Sequence, residues 1–343
     1  MGIMSMVRSV LRRIEQKGYI TDEISEFTQQ WLDQRKSGKP FFLYVSHKAA
    51  HADFIPAERH AYRYKDQKLP IKKEWKGDKA IEEGKPLWVQ NQRNSRHGVE
   101  YAYYSDLNME EYYQRYCETL LAVDDSVGEL LQWLDTSGEA ENTLVIYLGD
   151  NGFLFGEHGL IDKRNAYEES MRIPMMVRFP RIAPKGVKVP SVVANIDIAP
   201  TLLDAAGVDL PKHMDGMSFY SMLQASETPW RKHLLYEYFW ERNYPQTPTT
   251  HALRGDRYKY IRYHGIWDKD ELYDLENDPG ELHNLIRLPQ HQSRIQSMNQ
   301  TLFDMLEDSH GEGVPLQRDR GTQFFHRAAE GSRAVEFSSE FYQ

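Results

Sequence analysis

The sequence predicts an α/β protein with a mostly parallel sheet, followed by a small domain built on an antiparallel sheet. Apolar runs at residues 41–45 and 143–148 have the length and composition of buried strands. They alternate with segments of helical periodicity, which is typical of an α/β layer. Beyond Pro229 the apolar segments become short, aromatic and alternating, which favours antiparallel pairing.

Composition excludes several classes of protein. The chain has 343 residues, 40% of them hydrophobic, and a net charge of −9 without a basic stripe, which argues against a nucleic-acid partner. No run reaches the roughly 18 apolar residues of a membrane span. The first 20 residues are rich in charge and carry no signal peptide. The single cysteine, Cys117, excludes an internal disulfide framework and a Cys-based zinc site.

The N-terminal half contains one expected strand between two expected helices. Thr21 is a candidate cap for the first helix, and the strand at 41–45 follows it. Residues 52–105 are polar and Lys-rich, and we expect a long excursion with little regular structure. A long helix comes next, with Asn108 as its cap and Gly138 as its stop. Its apolar residues are spaced by four and three: Tyr116, Leu120, Val123, Val127, Leu130 and Leu134.

The remaining elements set the expected domain boundaries. After the strand at 143–148, we expect a strand at 172–179 and a helix from Ile198 that ends at Gly207. The antiparallel sheet and closing helix follow: strands at 234–240, 257–263 and 272–275, and a helix around Met298 and Leu302. We therefore divide the chain into an α/β part at 1–228, a small domain at 229–308 and a polar tail at 309–343.

Asp150 and Asn151 come directly after the strand at 143–148. Ligand sites gather at the carboxyl ends of strands in α/β sheets. One anionic and one neutral oxygen suit a hard cation such as Ca²⁺ or Mg²⁺. Asp, Asn and Gly are also the residues that tight turns use, so a simple turn remains an alternative.

Residues 156–170 form a glycine-punctuated stretch that is dense in titratable groups. Buried with a cation and two histidines, Lys163 would form an anion site able to stabilise charge on a transferring group. Alternatively, Lys163 and Arg164 form surface pairs with Glu168 and Glu169, each worth at most about 1 kcal/mol.

A second polar cluster, residues 46–51, follows the strand at 41–45. His51 could act as general acid to a leaving oxygen, and Lys48 could bind an anion. A structural hydrogen-bonding role for His51 is the alternative. Cys117 lies beside the apolar stripe of the long helix, which favours a buried, inert thiol over a nucleophile.

Four segments, taken together and in order, resemble the sulfatase family. They are residues 39–51, 148–163, 167–174 and 252–281, and the resemblance runs from about Gly18 to Leu285. It implies a three-layer α/β domain like that of alkaline phosphatase, here partial, and a small domain with a four-stranded antiparallel sheet.

The same resemblance implies roles for individual residues. Asp150 and Asn151 would ligate Ca²⁺, Lys163 would contact the sulfate and the leaving-group oxygen, and His51 would donate a proton to the departing alcohol. Three further residues are candidate substrate-binding groups: Lys48, His158 and His251. The family also implies a periplasmic or secreted location.

The sequence departs from the family pattern at the nucleophile. Sulfatases use a formylglycine made from Cys or Ser in the motif Cys/Ser-x-Pro/Ala-x-Arg, and no Cys or Ser here starts that motif. The family's early Asp-Asp metal pair and its Gly-Lys-x-His stretch are missing too. We therefore expect an N-terminally truncated chain that is marginally folded and catalytically silent alone, with unpaired strand edges.

The expected substrate is a sulfated sugar or a glycan of the glycosaminoglycan or mucin type. Trp88 and residues 91–98 resemble a segment of bacterial relatives of N-acetylglucosamine-6-sulfatases, and Trp and Arg suit ring stacking and sulfate pairing. A solvated loop is the alternative. Two other functions remain open: hydrolysis of phosphate esters or phosphonates by a relative in the same superfamily, and non-catalytic binding of sulfated glycans.

Overall fold

Six helices and eight strands are defined in the computed structural model, which describes residues 15–36, 38–51, 53–68, 70, 83–92, 108–224, 228–241, 247–265, 268–309 and 311. The helices are α1 Ile20–Gln34, α2 Leu87–Gln92, α3 Met109–Ser137, α4 Glu168–Met171, α5 Ile198–Ala205 and α6 Gln292–Asp308. The strands are β1 Val145–Leu148, β2 Leu154–Phe155, β3 Ile161–Asp162, β4 Met175–Arg178, β5 His233–Tyr238, β6 Thr249–Gly255, β7 Tyr258–His264 and β8 Glu271–Asp274.

The long helix α3 confirms the prediction from its periodicity and caps. The Asn108 side chain accepts a hydrogen bond from the Glu110 N–H at 2.7 Å, which satisfies one of the free donors of the first turn. At the other end Gly138 takes the left-handed conformation, with φ 73°, that terminates helices. None of the helices within the described ranges has the length and hydrophobicity needed to cross a bilayer.

Helix α1 packs against α3, but it begins earlier than predicted. Its N-cap position is Tyr19, so the prediction that Thr21 caps the helix is wrong. Thr21 is fully buried because it lies on the face that packs inward, together with Ser25 and Thr28. A buried side chain on this face is not directed at the free N–H groups of the first turn.

Residues 41–45 do not form the buried strand that their composition predicts. Their side chains alternate between half-buried and exposed, and Phe42 and Tyr44 are 71% and 79% exposed. Phe41 packs edge-on against Trp31 of α1, with ring centroids 6.2 Å apart. The alternation is that of an extended chain, but within the described ranges no ladder joins this segment to a strand. A doubly buried strand needs such neighbours.

The strands predicted at 143–148 and 172–179 are present as β1 and β4, and they pair antiparallel. A parallel pair needs a crossover of a dozen or more residues, usually a helix. Residues 149–174 instead form the β2–β3 hairpin and the one-turn helix α4. The mostly parallel sheet is thus not seen in the described ranges, where every strand pair is antiparallel.

A helix contacts each face of the β1–β4 sheet, which agrees with the α/β class. On one face Ile146 and Val177 pack in a cluster with Phe219 and with Ile198 of α5. On the other face Arg178 pairs with Asp135 of α3 at 2.5 Å. The structure therefore confirms the predicted α/β class.

The C-terminal sheet has the order β5-β6-β7-β8, antiparallel throughout. Strand β6 was not predicted from the residues themselves, although the family resemblance implies four strands. One face of the sheet, including Ala252 and Ile261, packs on Leu154 and Tyr167 of the α/β part. The other face packs on α6. The division of the chain at residue 228 stays a prediction, as does the polar tail, which falls almost entirely outside the described residues.

Candidate functional site

Asp150 and Asn151 lie in an exposed turn at the carboxyl end of β1, where the sequence places the candidate metal ligands. The Asn151 N–H donates to Asp150 Oδ1 at 2.9 Å, and Asn151 Nδ2 donates to the Gly152 carbonyl at 2.7 Å. The other carboxylate oxygen and the amide oxygen are then the atoms that can face a cation. These hard oxygens suit Ca²⁺, but they are two of the six to eight oxygens that it takes.

Lys163 lies directly after β3 and is half-buried. Its backbone carbonyl accepts a hydrogen bond from the hydroxyl of Ser170 in helix α4. The Ser170 carbonyl in turn accepts the Gly152 N–H at 2.8 Å. The loop that holds Asp150 and Asn151 is therefore connected to the Lys163 loop through one residue.

His158 is buried beside these loops rather than exposed to a substrate. No surface of its side chain is accessible, and its ring stacks on Tyr167 with centroids 3.9 Å apart. Burial, with the positive charges of Lys85 and Lys259 nearby, lowers the pKa of His158 well below its ordinary value. The structure places His158 in the supporting layer of the site, and its predicted substrate contact stays a prediction.

One buried carboxylate, one partly buried carboxylate and one buried lysine join helix α4 to the C-terminal sheet. Lys259 Nζ lies 3.0 Å from Glu168 Oε1 and 2.7 Å from Glu281 Oε1. Although burial alone would raise it, Lys259 and Arg254 hold the pKa of Glu168 below its ordinary value. Burial raises the pKa of Glu281 to about 7 despite the opposing charge of Lys259. The alternative of surface pairs is therefore wrong for Glu168, whose partners are buried or half-buried groups on β6 and β7.

A second buried cluster lies beneath the first. Three tyrosine hydroxyls, from Tyr167, Tyr263 and Tyr273, donate to the Glu271 carboxylate, which has no exposed surface. Lys85 Nζ donates to the Tyr273 hydroxyl at 2.8 Å and lies 3.9 Å from Glu271. Burial lowers the pKa of Lys85, against the attraction of Glu271. These contacts stabilise the same junction between the α/β part and the C-terminal sheet.

Within the described ranges, one group of three His or acidic residues brings its ligand atoms within 4.8 Å of one another: His158, Glu169 and Glu281. Lys259 already supplies a positive charge 2.7 Å from Glu281. A divalent cation there would be repelled by that ammonium group. We therefore assign this group to the ion-pair network, and Asp150 and Asn151 remain the candidate metal ligands.

Lys48 and His51 lie on an exposed turn, in which the His51 N–H donates to the Lys48 carbonyl at 2.8 Å. The preceding His47 approaches α3, with its Nε2 atom 3.1 Å from Ser126 Oγ. Both predicted side chains are thus accessible to a substrate. Their roles in proton donation and anion binding stay predictions.

His251 lies on the face of β6 that packs on α6. It is 5% exposed, stands opposite Glu237 of β5, and contacts His264 with ring centroids 4.7 Å apart. Neighbouring Ala252 faces the α/β part, so His251 points away from it. The predicted substrate contact by His251 stays a prediction, but the structure does not bring this residue together with Lys163.

Trp88 belongs to the core and is not a stacking surface for a sugar. It is 7% exposed and packs edge-on against Tyr263 with centroids 5.2 Å apart. Of the predicted sugar-binding segment 91–98, residues 91 and 92 end helix α2, and residues 93–98 lie outside the described residues. Cys117 is half-buried, and burial raises the pKa of its thiol, which agrees with the predicted inert role.

Comparison with known proteins identifies the family. The family model for sulfatases matches residues 5–208, and that for the C-terminal region of N-sulphoglucosamine sulphohydrolase matches residues 156–308. The first match alone spans more than half of the chain. The chain belongs to the sulfatase family, whose members use a metal ion.

The relatives named here are sulfatases of sulfated sugars. The chain is 30% identical to N-acetylglucosamine-6-O-sulfatase of Bacteroides thetaiotaomicron over 85% of its own length and 62% of the relative's. It is 34% identical to N-acetylglucosamine-6-sulfatase of Capra hircus, over 78% of the chain and 52% of the relative. The solved structure of a protein in complex with its substrate D-glucosamine-2-N,6-O-disulfate aligns with this chain with a TM-score of 0.76 and 26% sequence identity. The alignment covers 88% of this chain and 72% of the other. The chain thus spans about half to two thirds of the length of these curated relatives.

Sequence reasoning missed the residues that hold the site together, namely Ser170, Lys259 and Glu281. One signal was available: Lys259 interrupts the apolar face of a strand that reads Tyr-Lys-Tyr-Ile. A lysine on the inward face of a strand needs a buried acidic partner. Which acid meets it depends on the packing of the two parts and is not visible in the sequence.

Proposed function

We propose that this chain forms part of the site of a sulfuric ester hydrolase that acts on sulfated sugars, with N-acetylglucosamine 6-sulfate as the model substrate. One observation supports this most directly. The similarity to N-acetylglucosamine-6-O-sulfatase extends over 85% of the chain and includes the loops of Asp150 and Lys163. The link between these two loops through Ser170 supports a shared site.

The proposal assigns a chemical role to each candidate residue of the site. Lys163 binds the sulfate and the leaving-group oxygen through its ammonium group. His51 donates a proton to the departing alcohol. Asp150 and Asn151 hold Ca²⁺, which when bound neutralises charge on the sulfate. Lys48 adds positive charge at the accessible edge of the site.

Sulfatases form their nucleophile from a Cys or Ser in the motif Cys/Ser-x-Pro/Ala-x-Arg. The 343-residue sequence does not contain this motif. We therefore propose that the chain alone binds sulfated sugars without hydrolysing them. A periplasmic or secreted location belongs to the same proposal.

The test is a calorimetric titration of the purified chain with N-acetylglucosamine 6-sulfate, with and without Ca²⁺. Sulfate release is measured in parallel by ion chromatography. We expect binding that Ca²⁺ strengthens, loss of that binding in Lys163→Ala, and no sulfate release. Lys188→Ala, at an exposed lysine, is the matched control. Equal binding by Lys163→Ala and the parent chain would contradict the assignment.

The same titration with N-acetylglucosamine 6-phosphate separates the alternatives. Tighter binding of the phosphate ester would favour a phosphate- or phosphonate-directed relative. Binding of heparin or mucin that depends on Lys163 and His51, without binding of the monosaccharide N-acetylglucosamine 6-sulfate, would favour a glycan-binding protein. Sulfate release by the pure chain would overturn the proposal that it is silent alone.

A further inference from the structure

Ser170 has no role in the proposed function, but it lies next to residues that do. It is 3% exposed and lies in the one-turn helix α4, between the two loops of the proposed site. Its hydroxyl donates to the Lys163 carbonyl, and its own carbonyl accepts the Gly152 N–H at 2.8 Å. A shift of Ser170 would therefore move Lys163 and the Asp150–Asn151 turn relative to each other.

The contact between α4 and the metal-ligand turn is too close for a side chain. A Cβ atom added at Gly152 would lie 3.0 Å from the Arg172 carbonyl oxygen and closer still to the Glu169 carbonyl. The turn thus rests directly on the backbone of α4 and its C-terminal end. Backbone packed on backbone has little room to adjust, so the position of α4 determines that of the turn.

The C-terminal sheet fixes α4 in turn. The Glu168 N–H donates to Glu281 Oε2 at 2.7 Å, and the Glu168 carboxylate lies 3.0 Å from Lys259 Nζ. Arg254 of β6 lies 3.4 Å from the same carboxylate. Three groups from the sheet region therefore hold the first residue of a helix that has only four.

We propose that Ser170 is a positioning residue that fixes Lys163 relative to the Asp150–Asn151 pair, and that the C-terminal sheet acts on the site through it. The inference rests on the proposed function, because it assumes that Lys163 and the two metal ligands serve one sulfate group. Placement matters for such a group, since a lysine on one side and a cation on the other must both meet its oxygens.

If Ser170 had only a structural role, we would expect a different result from its substitution. If the Ser170 hydroxyl only satisfies a buried carbonyl, its loss lowers the melting temperature and leaves ligand affinity unchanged. Ser25 provides the matched control, because its hydroxyl is also buried and donates to the Thr21 carbonyl at 2.9 Å. Ser25→Ala removes the same type of bond far from the site along the chain.

The experiment compares the full chain with Ser170→Ala, Ser170→Cys and Ser25→Ala. Calorimetry measures the Kd for N-acetylglucosamine 6-sulfate, with and without Ca²⁺, well below each melting temperature. For Ser170→Ala we expect affinity in Ca²⁺ to fall by about three- to tenfold, as for the loss of one hydrogen bond, and the enhancement by Ca²⁺ to shrink. Ser170→Cys keeps a weak donor of similar size, so we expect an intermediate loss. Affinity that is unchanged in both Ser170 variants would overturn the proposal.

Hydrogen exchange gives a readout that does not depend on binding. We expect the Gly152 amide and the peptide around Lys163 to exchange faster in Ser170→Ala, while peptides of α6 stay as in the parent chain. If the parent chain binds no sulfated sugar, the proposed function fails, and local exchange still decides the positioning role. Unchanged exchange around Gly152 and Lys163 would overturn that role. If Ser170→Ala does not fold, Ser170→Cys is judged by the same two measurements.

Discussion

Replacing Lys259 with methionine would remove a buried ammonium group that lies within 3.0 Å of two carboxylates, those of Glu168 and Glu281. Neither the lysine side chain nor that of Glu281 has any exposed surface. Breaking a buried ion pair from one side leaves the partner charge uncompensated, which typically costs about 3–5 kcal/mol of unfolding free energy. We expect Lys259→Met to lose stability in this range near neutral pH.

The pH dependence of this loss follows from Glu281. Burial raises its folded-state pKa to about 7, from 4.5 in the unfolded chain. A raised pKa contributes stability that is complete below the unfolded pKa and is lost as pH rises through the folded one. The difference of 2.5 (7 minus 4.5) corresponds to about 3 kcal/mol between those limits. Without Lys259 the pKa of Glu281 would rise further, so Lys259→Met should be least damaging at acidic pH.

Urea unfolding followed by circular dichroism, at about pH 5 and about pH 8, measures both effects. The double variant Lys259→Met/Glu281→Gln should recover part of the stability at the higher pH, because no buried carboxylate is left at position 281. Arg115→Met is the control, because both partners of its pair with Glu111 are exposed and a much smaller loss is expected. A loss for Lys259→Met that is as small as the control's, or equal at both pH values, would refute the reasoning.

Three further variants test other parts of the structure. Gly152→Ala should disrupt the metal-ligand turn, because its Cβ atom would meet the Glu169 carbonyl; calorimetry with Ca²⁺ should show weakened binding. Trp88→Ala should lower the unfolding free energy by about 3–5 kcal/mol through loss of core packing, measured by urea unfolding. The double variant Phe42→Ser/Tyr44→Ser should change that free energy by less than about 0.5 kcal/mol for each exposed site and should reduce self-association in light scattering.

Matched controls exist for the first two. Gly128→Ala lies in helix α3 with open space around it, so it should stabilise the protein, by up to about 1 kcal/mol. Trp240→Ala removes a tryptophan that is 51% exposed and should cost much less than Trp88→Ala. Normal Ca²⁺ binding by Gly152→Ala, or equal losses for the two tryptophans, would contradict the packing described. Increased self-association of the serine double variant would contradict the third prediction.

The sequence was most informative where local chemistry decides the structure. The limits of α3 follow from Asn108 and Gly138, whose side-chain and backbone properties act within one turn of the helix. The strands β1, β4, β5, β7 and β8 could be located from their apolar and aromatic patterns, whereas β6 could not. The position of Asp150 and Asn151 at the end of a strand was predicted from the residues, whereas that of Lys163 after β3 was not. The roles of all three residues stay predictions.

Long-range packing is the part that the sequence did not reveal. Residues 41–45 have the composition of a buried strand, but a ladder depends on a neighbouring strand rather than on the residues themselves. Trp88 resembles a sugar-stacking residue in sequence, and only the fold shows that Tyr263 covers it. The partner of Glu168, Lys259, is 91 residues away in the chain.

The ion pair of Glu168 with Lys259 and the hydrogen bond from the Glu168 N–H to Glu281 have a consequence for protein engineering. The C-terminal sheet of another sulfatase could not be grafted onto the α/β part of this chain by matching strand lengths alone. A chimera would have to bring a lysine at the position of Lys259 together with a carboxylate at the position of Glu168. It would also need an acceptor for the first N–H group of the four-residue helix. A graft that ignored these groups would leave an unpaired charge buried between the two parts, next to the loops of the proposed site.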